Sequence, residues 1–293
     1  MSHQFSGTGV AIVTPFLSDG SIDFNSLTNL VEFHINNGIN YLVVMGTTGE
    51  SATLNKNEKK TVIDHIIKVN YKRVPLVIGI GGNNTNEVVE GIKNFHAYDE
   101  IAGILSVAPY YNKPSQEGLY LHYKLIAEAS PVPVILYNVP GRSSINISAE
   151  TTLRLANDFK NVVAVKEASG DMEQIMEIIN NKPTDFAVIS GDDALTFPMI
   201  CLGAEGVISV VANAFPKEFS DMVNAALDSE IAKAKTLHFK LFEINQNLFT
   251  EGNPAGIKAI LHINKLIENN FRLPMIKVSD KHYSKLENLV NNM

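Results

Sequence analysis

The chain has 293 residues, a length near the upper limit for a single hydrophobic core. Hydrophobic residues make up 45% and charged residues 19%, and the net charge of −7 with no basic block argues against nucleic acid as the main partner. The one cysteine, Cys201, excludes an internal disulfide and favours a reducing compartment. The amino terminus lacks the features of a signal peptide, and no apolar run reaches the ~18 residues of a membrane span, so we expect a cytoplasmic protein without a membrane partner.

Apolar segments rich in β-branched residues alternate along the chain with segments of helical period. The segments predicted as strands are 9–13, 41–45, 75–80, 102–107, 132–137, 162–165, 186–189 and 207–211. The residues predicted to cap the intervening helices are Asp23, Asn55, Asn84, Ser115, Ser148 and Asp171, with capping boxes at Asn55–Glu58 and Asn84–Glu87. Strands alternating with helices indicate a parallel sheet. Eight such units predict an α/β protein of the closed (β/α)8 (TIM) barrel type rather than an open sheet, because ~250 residues is typical of that barrel.

The carboxyl-terminal part of the chain has helical patterns and no strand pattern. Helices are predicted at 230–250, 254–268 and 279–291. We therefore expect a catalytic barrel over residues 1–228 and a helical extension over 229–293, packed on the barrel or on a partner subunit. The glycines after the third strand do not complete a dinucleotide-binding fingerprint, so no such cofactor is predicted.

The stretch Val162–Gly170 carries the first candidate catalytic residue. Its apolar start is typical of a strand buried on both faces, and Lys166 follows at the carboxyl end. Burial disfavours the charged ammonium form of a lysine, so Lys166 is a candidate nucleophile that forms a Schiff base with a carbonyl. The alternative is a lysine that reaches from the strand end to water.

The active site of such a barrel lies at the carboxyl ends of its strands. Gly46–Glu50, with the sequence GTTGE, places hydroxyls beside glycines and is suited to a carboxylate anion, although it also fits a tight turn before a helix. Tyr137 has the side-chain parity to point inward beside Lys166, as a proton shuttle or as a packing aromatic. Arg142 follows a Pro-Gly turn and is either a fork for a substrate carboxylate or a surface charge.

Motifs in this order and spacing resemble a known family. They are GTTGES, PYYNKPSQEGLYLHY, YNVPGRSS, VVAVKEASGD, SGDD and GVISVVAN. Together they resemble the dihydrodipicolinate (4-hydroxy-tetrahydrodipicolinate) synthase family of the class I, lysine-dependent pyruvate aldolase superfamily. The resemblance extends from the first strand to the RLPM segment near Leu273.

The resemblance implies a lyase that condenses pyruvate with L-aspartate 4-semialdehyde in the diaminopimelate route to lysine. It implies that Lys166 forms the Schiff base with pyruvate and that Tyr137 donates and accepts protons. It further implies that Thr47 relays a proton between Tyr137 and Tyr111, with Tyr111 reaching in from a neighbouring subunit. The enamine attacks the aldehyde, and the amine of the second substrate displaces Lys166 as the ring closes.

The resemblance also implies the substrate-binding residues. Thr48 holds the pyruvate carboxylate, Ile208 and the Gly191 backbone line the pocket, and Arg142 binds the carboxylate of the aldehyde. A protonated imine is itself an electron sink, so no metal and no cofactor are expected. The sequence contains no HExxH or CxxC pattern that would indicate a metal site.

The family is often a homotetramer, a dimer of dimers, and some members bind L-lysine as a feedback inhibitor. The matching positions are Ser51, Ala52, Lys56, Lys59, Asn83, Glu87 and Tyr110. Lys56 and Lys59 stand where some sensitive members have histidines, and they bring like charge towards the ligand ammonium. We therefore expect weak inhibition by L-lysine.

Two alternatives to the synthase function fit parts of the same sequence pattern. The first is an N-acetylneuraminate lyase or a 2-keto-3-deoxy-sugar-acid aldolase of the same superfamily, which shares the lysine and the tyrosine. Arg142 directly after Pro-Gly favours a short carboxylated aldehyde over a polyol chain. The second is a catalytically silent barrel that senses a small ligand, which predicts an incomplete set of catalytic residues.

Overall fold

The structure is a computed structural model that describes residues 3–293. Eight parallel strands form a closed barrel in chain order, which confirms the predicted (β/α)8 fold. The strands are β1 (Gly7–Ala11), β2 (Tyr41–Val44), β3 (Leu76–Gly79), β4 (Gly103–Val107), β5 (Val134–Asn138), β6 (Val162–Glu167), β7 (Ala187–Ser190) and β8 (Gly206–Ser209). Their side chains are almost all buried, as expected for strands covered on both faces.

Helices connect the strands and form the carboxyl-terminal part. They are α1 (Phe24–Asn36), α2 (Lys56–Asn70), α3 (Thr85–Lys93), α4 (Gln116–Ala129), α5 (Pro140–Ser143), α6 (Ala149–Asp158), α7 (Met172–Asn181), α8 (Thr196–Cys201), α9 (Pro216–Leu227), α10 (Ile231–Leu248), α11 (Ala255–Ile263) and α12 (Asp280–Asn291). Within residues 3–293, none of these helices has the length and apolar content needed to cross a membrane.

The helix caps follow the sequence prediction with one difference. Asp23, Ser115, Ser148 and Asp171 accept hydrogen bonds from the first turns of their helices. Asn55 and Glu58 form the predicted capping box. The side chain of Asn84 instead accepts from the N–H of Asn86, so it caps α3 through a shorter turn than the predicted box requires.

The first of two compact units comprises Pro75–Ile208 with residues 3–6. Its strands β5 and β6 pair so that Tyr137 lies opposite Lys166 and Asn138 opposite Glu167. A shift in register between Val134 and Ile135 precedes these pairs. Because side chains alternate along a strand, each pair directs its side chains to one face, and the two pairs use opposite faces.

The second unit comprises Gly7–Val74 and Ser209–Met293. It contains β1 and β2, with Gly9 opposite Tyr41, and the helices α1, α2 and α9–α12. The helices predicted near the carboxyl terminus are present as α10, α11 and α12, and the predicted extension is therefore confirmed as helical. The boundary between residues 228 and 229 stays a prediction.

Candidate active site

Lys166 is buried at the carboxyl end of β6. The residue is only 5% exposed, and Nζ lies 4.4 Å from the centre of the Tyr137 ring. Tyr137 is likewise buried, on the neighbouring strand. The two side chains therefore lie side by side, as predicted. The Lys166 side chain does not extend into water, so the alternative is not observed.

Gly191 lies against the stem of Lys166. Its N–H donates to the carbonyl of Glu167 at 2.8 Å, which ties the end of β7 to β6. A Cβ at this position would lie 3.0 Å from Cε and 3.1 Å from Cγ of Lys166, and 2.7 Å from Cβ of Ala168. Glycine is therefore required for the lysine side chain to take this path. Ile208, the other predicted pocket residue of this unit, is buried on β8.

Glu167 is fully buried on the face opposite to Lys166. Its carboxylate accepts hydrogen bonds from the N–H of Ser169 at 2.8 Å, from Nδ2 of Asn138 at 3.1 Å to each oxygen, and from Nε2 of Gln174 at 3.1 Å. Burial raises the pKa of Glu167, and these hydrogen bonds from Ser169, Asn138 and Gln174 oppose the shift. This polar cluster was not predicted from the sequence.

Arg142 lies in the short helix α5, on an exposed turn after β5. The turn is closed by its own hydrogen bonds, with the N–H groups of Arg142 and Ser143 donating to the carbonyl of Val139. The N–H of Tyr111 donates to the carbonyl of Ser143 at 3.4 Å, so the turn after β4 contacts the turn that carries Arg142. Tyr111 is 84% exposed and has a φ of +77°, an uncommon conformation for a tyrosine.

The GTTGE segment belongs to the second unit and begins with a single 3₁₀ turn, Thr47–Gly49. Thr48 is buried, and its hydroxyl accepts a hydrogen bond from Nδ2 of Asn253 at 3.0 Å, whereas Thr47 is exposed. The backbone of this segment therefore forms a tight turn, which was one of the two predicted alternatives. Anion binding by Thr47 and Thr48 stays a prediction.

Glu50 ends the same segment in a left-handed conformation, with a φ of +52°. Its carboxylate forms a salt bridge with Lys258 of α11, and both side chains are buried. Nζ of Lys258 also lies 4.3 Å from the centre of the Phe16 ring. Burial lowers the pKa of Lys258, and the charge of Glu50 opposes that shift.

The positions predicted for L-lysine are divided between the units. In the first unit, Nδ2 of Asn83 donates to the carbonyl of Tyr110 at 3.4 Å, and Glu87 lies in the first turn of α3. In the second unit, Ser51 and Ala52 form a 3₁₀ turn, and Lys56 and Lys59 lie at the start of α2. Their role in ligand binding stays a prediction. In the part of the chain that the structure describes, no three His, Cys, Asp or Glu side chains form a metal-binding group.

A buried lysine at the carboxyl end of a (β/α)8 barrel strand, paired with a tyrosine, defines the class as a lyase of the class I aldolase type. The model of the dihydrodipicolinate synthetase family matches residues 4–293. The chain belongs to this family.

Individual relatives agree with the family match. The chain is 52% identical over 285 residues to a 4-hydroxy-tetrahydrodipicolinate synthase of Flavobacterium psychrophilum, with 97% of each chain covered. A crystal structure of dihydrodipicolinate synthase from Thermotoga maritima is 40% identical and superposes with a TM-score of 0.96 over 99% of each chain. A chloride-inhibited dihydrodipicolinate synthase from Acinetobacter baumannii, complexed with pyruvate, is 44% identical with a TM-score of 0.94 over 98% of each chain. The family and the synthase function predicted from the sequence are confirmed, and both are favoured over the two alternatives.

Proposed function

We propose that this synthase condenses pyruvate with L-aspartate 4-semialdehyde and that Lys166 is the residue that binds pyruvate covalently. The proposal is carried by one observation, the buried amine of Lys166 beside the ring of Tyr137. The amine attacks the C2 carbonyl of pyruvate, and water leaves to form the imine. Loss of a C3 proton from the protonated imine gives the enamine, whose C3 then attacks the aldehyde carbon of the second substrate.

Tyr137 is proposed as the acid and base of these steps. The pairing of β5 and β6 keeps the Tyr137 side chain beside the reacting amine, with Nζ of Lys166 4.4 Å from the ring centre. Tyr111 and Thr47 are proposed to relay the proton, and Thr48 to bind the pyruvate carboxylate, as the family resemblance implies. The hydrogen bond from Asn253 supports the role of Thr48, because it fixes the rotamer of the hydroxyl.

Arg142 is proposed to bind the carboxylate of the aldehyde substrate. Its turn is exposed and carries a guanidinium on a short, internally hydrogen-bonded helix, which suits an incoming anion. Ile208 and the backbone of Gly191 are proposed to line the site on the pyruvate side.

We also propose a homotetramer in the cytoplasm. The 84% exposure of Tyr111 leaves its side chain accessible to a second subunit, which is where the family resemblance places its contact. The single cysteine agrees with a reducing compartment. Sedimentation of the purified chain tests the oligomer, and a monomer at micromolar concentration would contradict it.

The positions Ser51, Ala52, Lys56, Lys59, Asn83, Glu87 and Tyr110 are proposed as a site with weak affinity for L-lysine. The contact between Asn83 and Tyr110 supports a local cluster in the first unit. A rate that is unchanged in millimolar L-lysine would retire this proposal. The variant Lys56→His should increase sensitivity, because it removes a cation that repels the ligand ammonium.

The proposed function is tested by separating its two halves. Wild type should form a borohydride-reducible adduct with pyruvate and should condense it with L-aspartate 4-semialdehyde. Lys166→Arg should lose both reactions, whereas Arg142→Ala should lose condensation and keep the adduct. Lys160→Ala, a change to an exposed lysine just before β6, is the matched control and should keep both. Equal loss of both reactions in Arg142→Ala would contradict the role of Arg142.

A further inference from the structure

The buried cluster behind β5 and β6 connects to the segment that carries Arg142. Asn138 is the last residue of β5, and Oδ1 of its side chain accepts from the N–H of Ile147 at 2.9 Å. Its Nδ2 donates to Oδ1 of Asn146 at 2.7 Å. One side chain therefore closes the segment 139–147, holding its far end against its starting point.

The orientation of Asn138 is fixed by Glu167. The second N–H of the Asn138 amide is shared between both oxygens of that carboxylate, each at 3.1 Å. Backbone N–H groups, which can only donate, lie at both ends of this set of hydrogen bonds. Glu167 accepts from the N–H of Ser169, and Oδ1 of Asn138 accepts from the N–H of Ile147. The donor and acceptor atoms of the Asn138 amide between these two N–H groups are therefore fixed. In this arrangement the side chain at position 167 must only accept hydrogen bonds.

Gln174 and Asn146 complete the cluster. Nε2 of Gln174 donates to Glu167 at 3.1 Å, and its Oε1 accepts from Nδ2 of Asn146 at 2.7 Å. A longer contact of 3.3 Å joins Nε2 of Gln174 to Oδ1 of Asn146. Each hydrogen bond described for the carboxylate comes from an uncharged donor, and both Glu167 and Asn138 are fully buried.

We propose that Glu167 is a positioning residue for Arg142: its carboxylate, acting through Asn138 and Asn146, sets the orientation of the segment 139–147. The inference rests on the proposed role of Arg142 in binding the second substrate. Glu167 then affects the binding of the aldehyde selectively, although it directly follows the Schiff-base lysine in the chain. The backbone pairing of Tyr137 with Lys166 does not depend on this carboxylate, so imine formation is preserved.

A second contact holds the same end of the segment and limits the size of the effect. Nε2 of Gln116, at the start of α4, donates to the carbonyl of Asn146 at 2.8 Å. Loss of the Glu167 contacts should therefore loosen the segment rather than release it.

The test exchanges the carboxylate and the amide between positions 167 and 174. In Glu167→Gln an NH₂ group faces the NH₂ groups of Asn138 and Gln174, so donors face donors. In Gln174→Glu the carboxylates at positions 167 and 174 lie side by side and repel each other. In the double variant Glu167→Gln/Gln174→Glu, the amide oxygen at position 167 accepts from Ser169 and Asn138, and the NH₂ of that amide donates to the carboxylate at position 174. The other oxygen of this carboxylate accepts from Asn146. Two contacts lose their direction in the double variant: the 3.3 Å contact between position 174 and Asn146, and one of the two 3.1 Å contacts from Asn138 to position 167.

Glu167→Gln should raise KM for L-aspartate 4-semialdehyde about tenfold, because a buried donor that loses its acceptor shifts an equilibrium by that order. The extent of borohydride trapping with pyruvate should stay within about twofold of wild type, and the double variant should recover KM to within about threefold. Ile178 is buried on α7, the helix that also carries Gln174. Ile178→Val, which leaves a small cavity there, is the control for general loss of stability and should leave KM unchanged.

Three results would overturn the inference. They are an unchanged KM in Glu167→Gln, an equal loss of trapping and of condensation in that variant, and a double variant no better than either single one. If Glu167→Gln does not fold, the double variant alone tests the inference, because it should fold and have a KM for the aldehyde within about threefold of wild type. These results differ from those expected if Arg142 does not bind the aldehyde. In that case Arg142→Ala would itself show no selective loss of condensation.

Discussion

Tyr137 and Lys166 are direct partners in the pairing of β5 with β6, and Nζ of Lys166 lies 4.4 Å from the centre of the Tyr137 ring. The two parts of the tyrosine side chain therefore have separable roles. The ring contacts the lysine, and the hydroxyl is the group that can move a proton.

Tyr137→Phe keeps the ring and removes the hydroxyl. We expect kcat to fall by about 10²- to 10⁴-fold, the contribution typical of a positioned acid and base. The thermal unfolding temperature should hardly change, because the packing volume is nearly conserved. A stopped-flow measurement of imine formation checks the step directly, and a rate equal to wild type would contradict the role of the hydroxyl.

Gly191→Ala tests whether the path of the Lys166 side chain matters. The new Cβ would lie 2.7 Å from Cβ of Ala168 and about as close to the lysine stem, so the lysine or the strand end must move. We expect loss of trapping with pyruvate and a decrease in the free energy of unfolding of about 1–3 kcal/mol, as overpacking usually causes. Gly91→Ala is the control, since its Cβ would meet only Ile80 at 3.7 Å. Full trapping in Gly191→Ala would show that the site tolerates the shift.

Lys258→Met tests the buried salt bridge with Glu50. It leaves a carboxylate buried without its cation, which should cost about 3–5 kcal/mol in the free energy of unfolding. Adding Glu50→Gln should recover much of that loss, because no buried charge then remains. Lys60→Met removes an exposed salt bridge with Asp64 and should cost less than about 1 kcal/mol. Urea denaturation of the wild type and the three variants measures these differences, and equal losses for Lys258→Met and Lys60→Met would show that the buried salt bridge has no special role in stability.

His34 predicts a dependence of stability on pH. Burial lowers the pKa of His34 to about 4, while its hydrogen bond to the carbonyl of Asn213 acts in the opposite direction. Below pH 6.5 the unfolded chain binds a proton at this residue and the folded chain does not, so stability falls as the pH drops towards 4. Between pH 7 and pH 5 the loss from this one group is about 2 kcal/mol. His34→Gln should reduce the pH dependence by that amount in urea denaturation, and an identical slope would exclude His34 as its source.

Local signals in the sequence predicted the barrel and the central pair of residues. A short apolar run ending in a lysine identified β6, and side-chain parity placed Tyr137 beside Lys166. The predicted strand stopped at Val165, whereas β6 continues through Lys166 and Glu167, because a pattern based on apolar residues ends at the first charge. At β8 the prediction ran past Ser209 into the 3₁₀ turn Val211–Asn213, since the turn also begins with apolar residues.

Two contacts between residues about 200 positions apart, Thr48 with Asn253 and Glu50 with Lys258, were not predicted. Asn253 and Thr48 are 205 residues apart, and no pattern in either segment indicates the other. Lys258 did carry a signal, because it is the only lysine in the apolar helix Ala255–Ile263 and such a residue is buried only with a partner. The partner itself, Glu50, requires the fold to be known.

The role of Lys166 in binding pyruvate is measured most directly by the mass of the chain after borohydride reduction with pyruvate, followed by peptide mapping. We expect one adduct per chain, located on Lys166, and its loss in Lys166→Arg. An adduct on another lysine, or a folded protein without an adduct, would contradict the assignment of Lys166 as the Schiff-base residue.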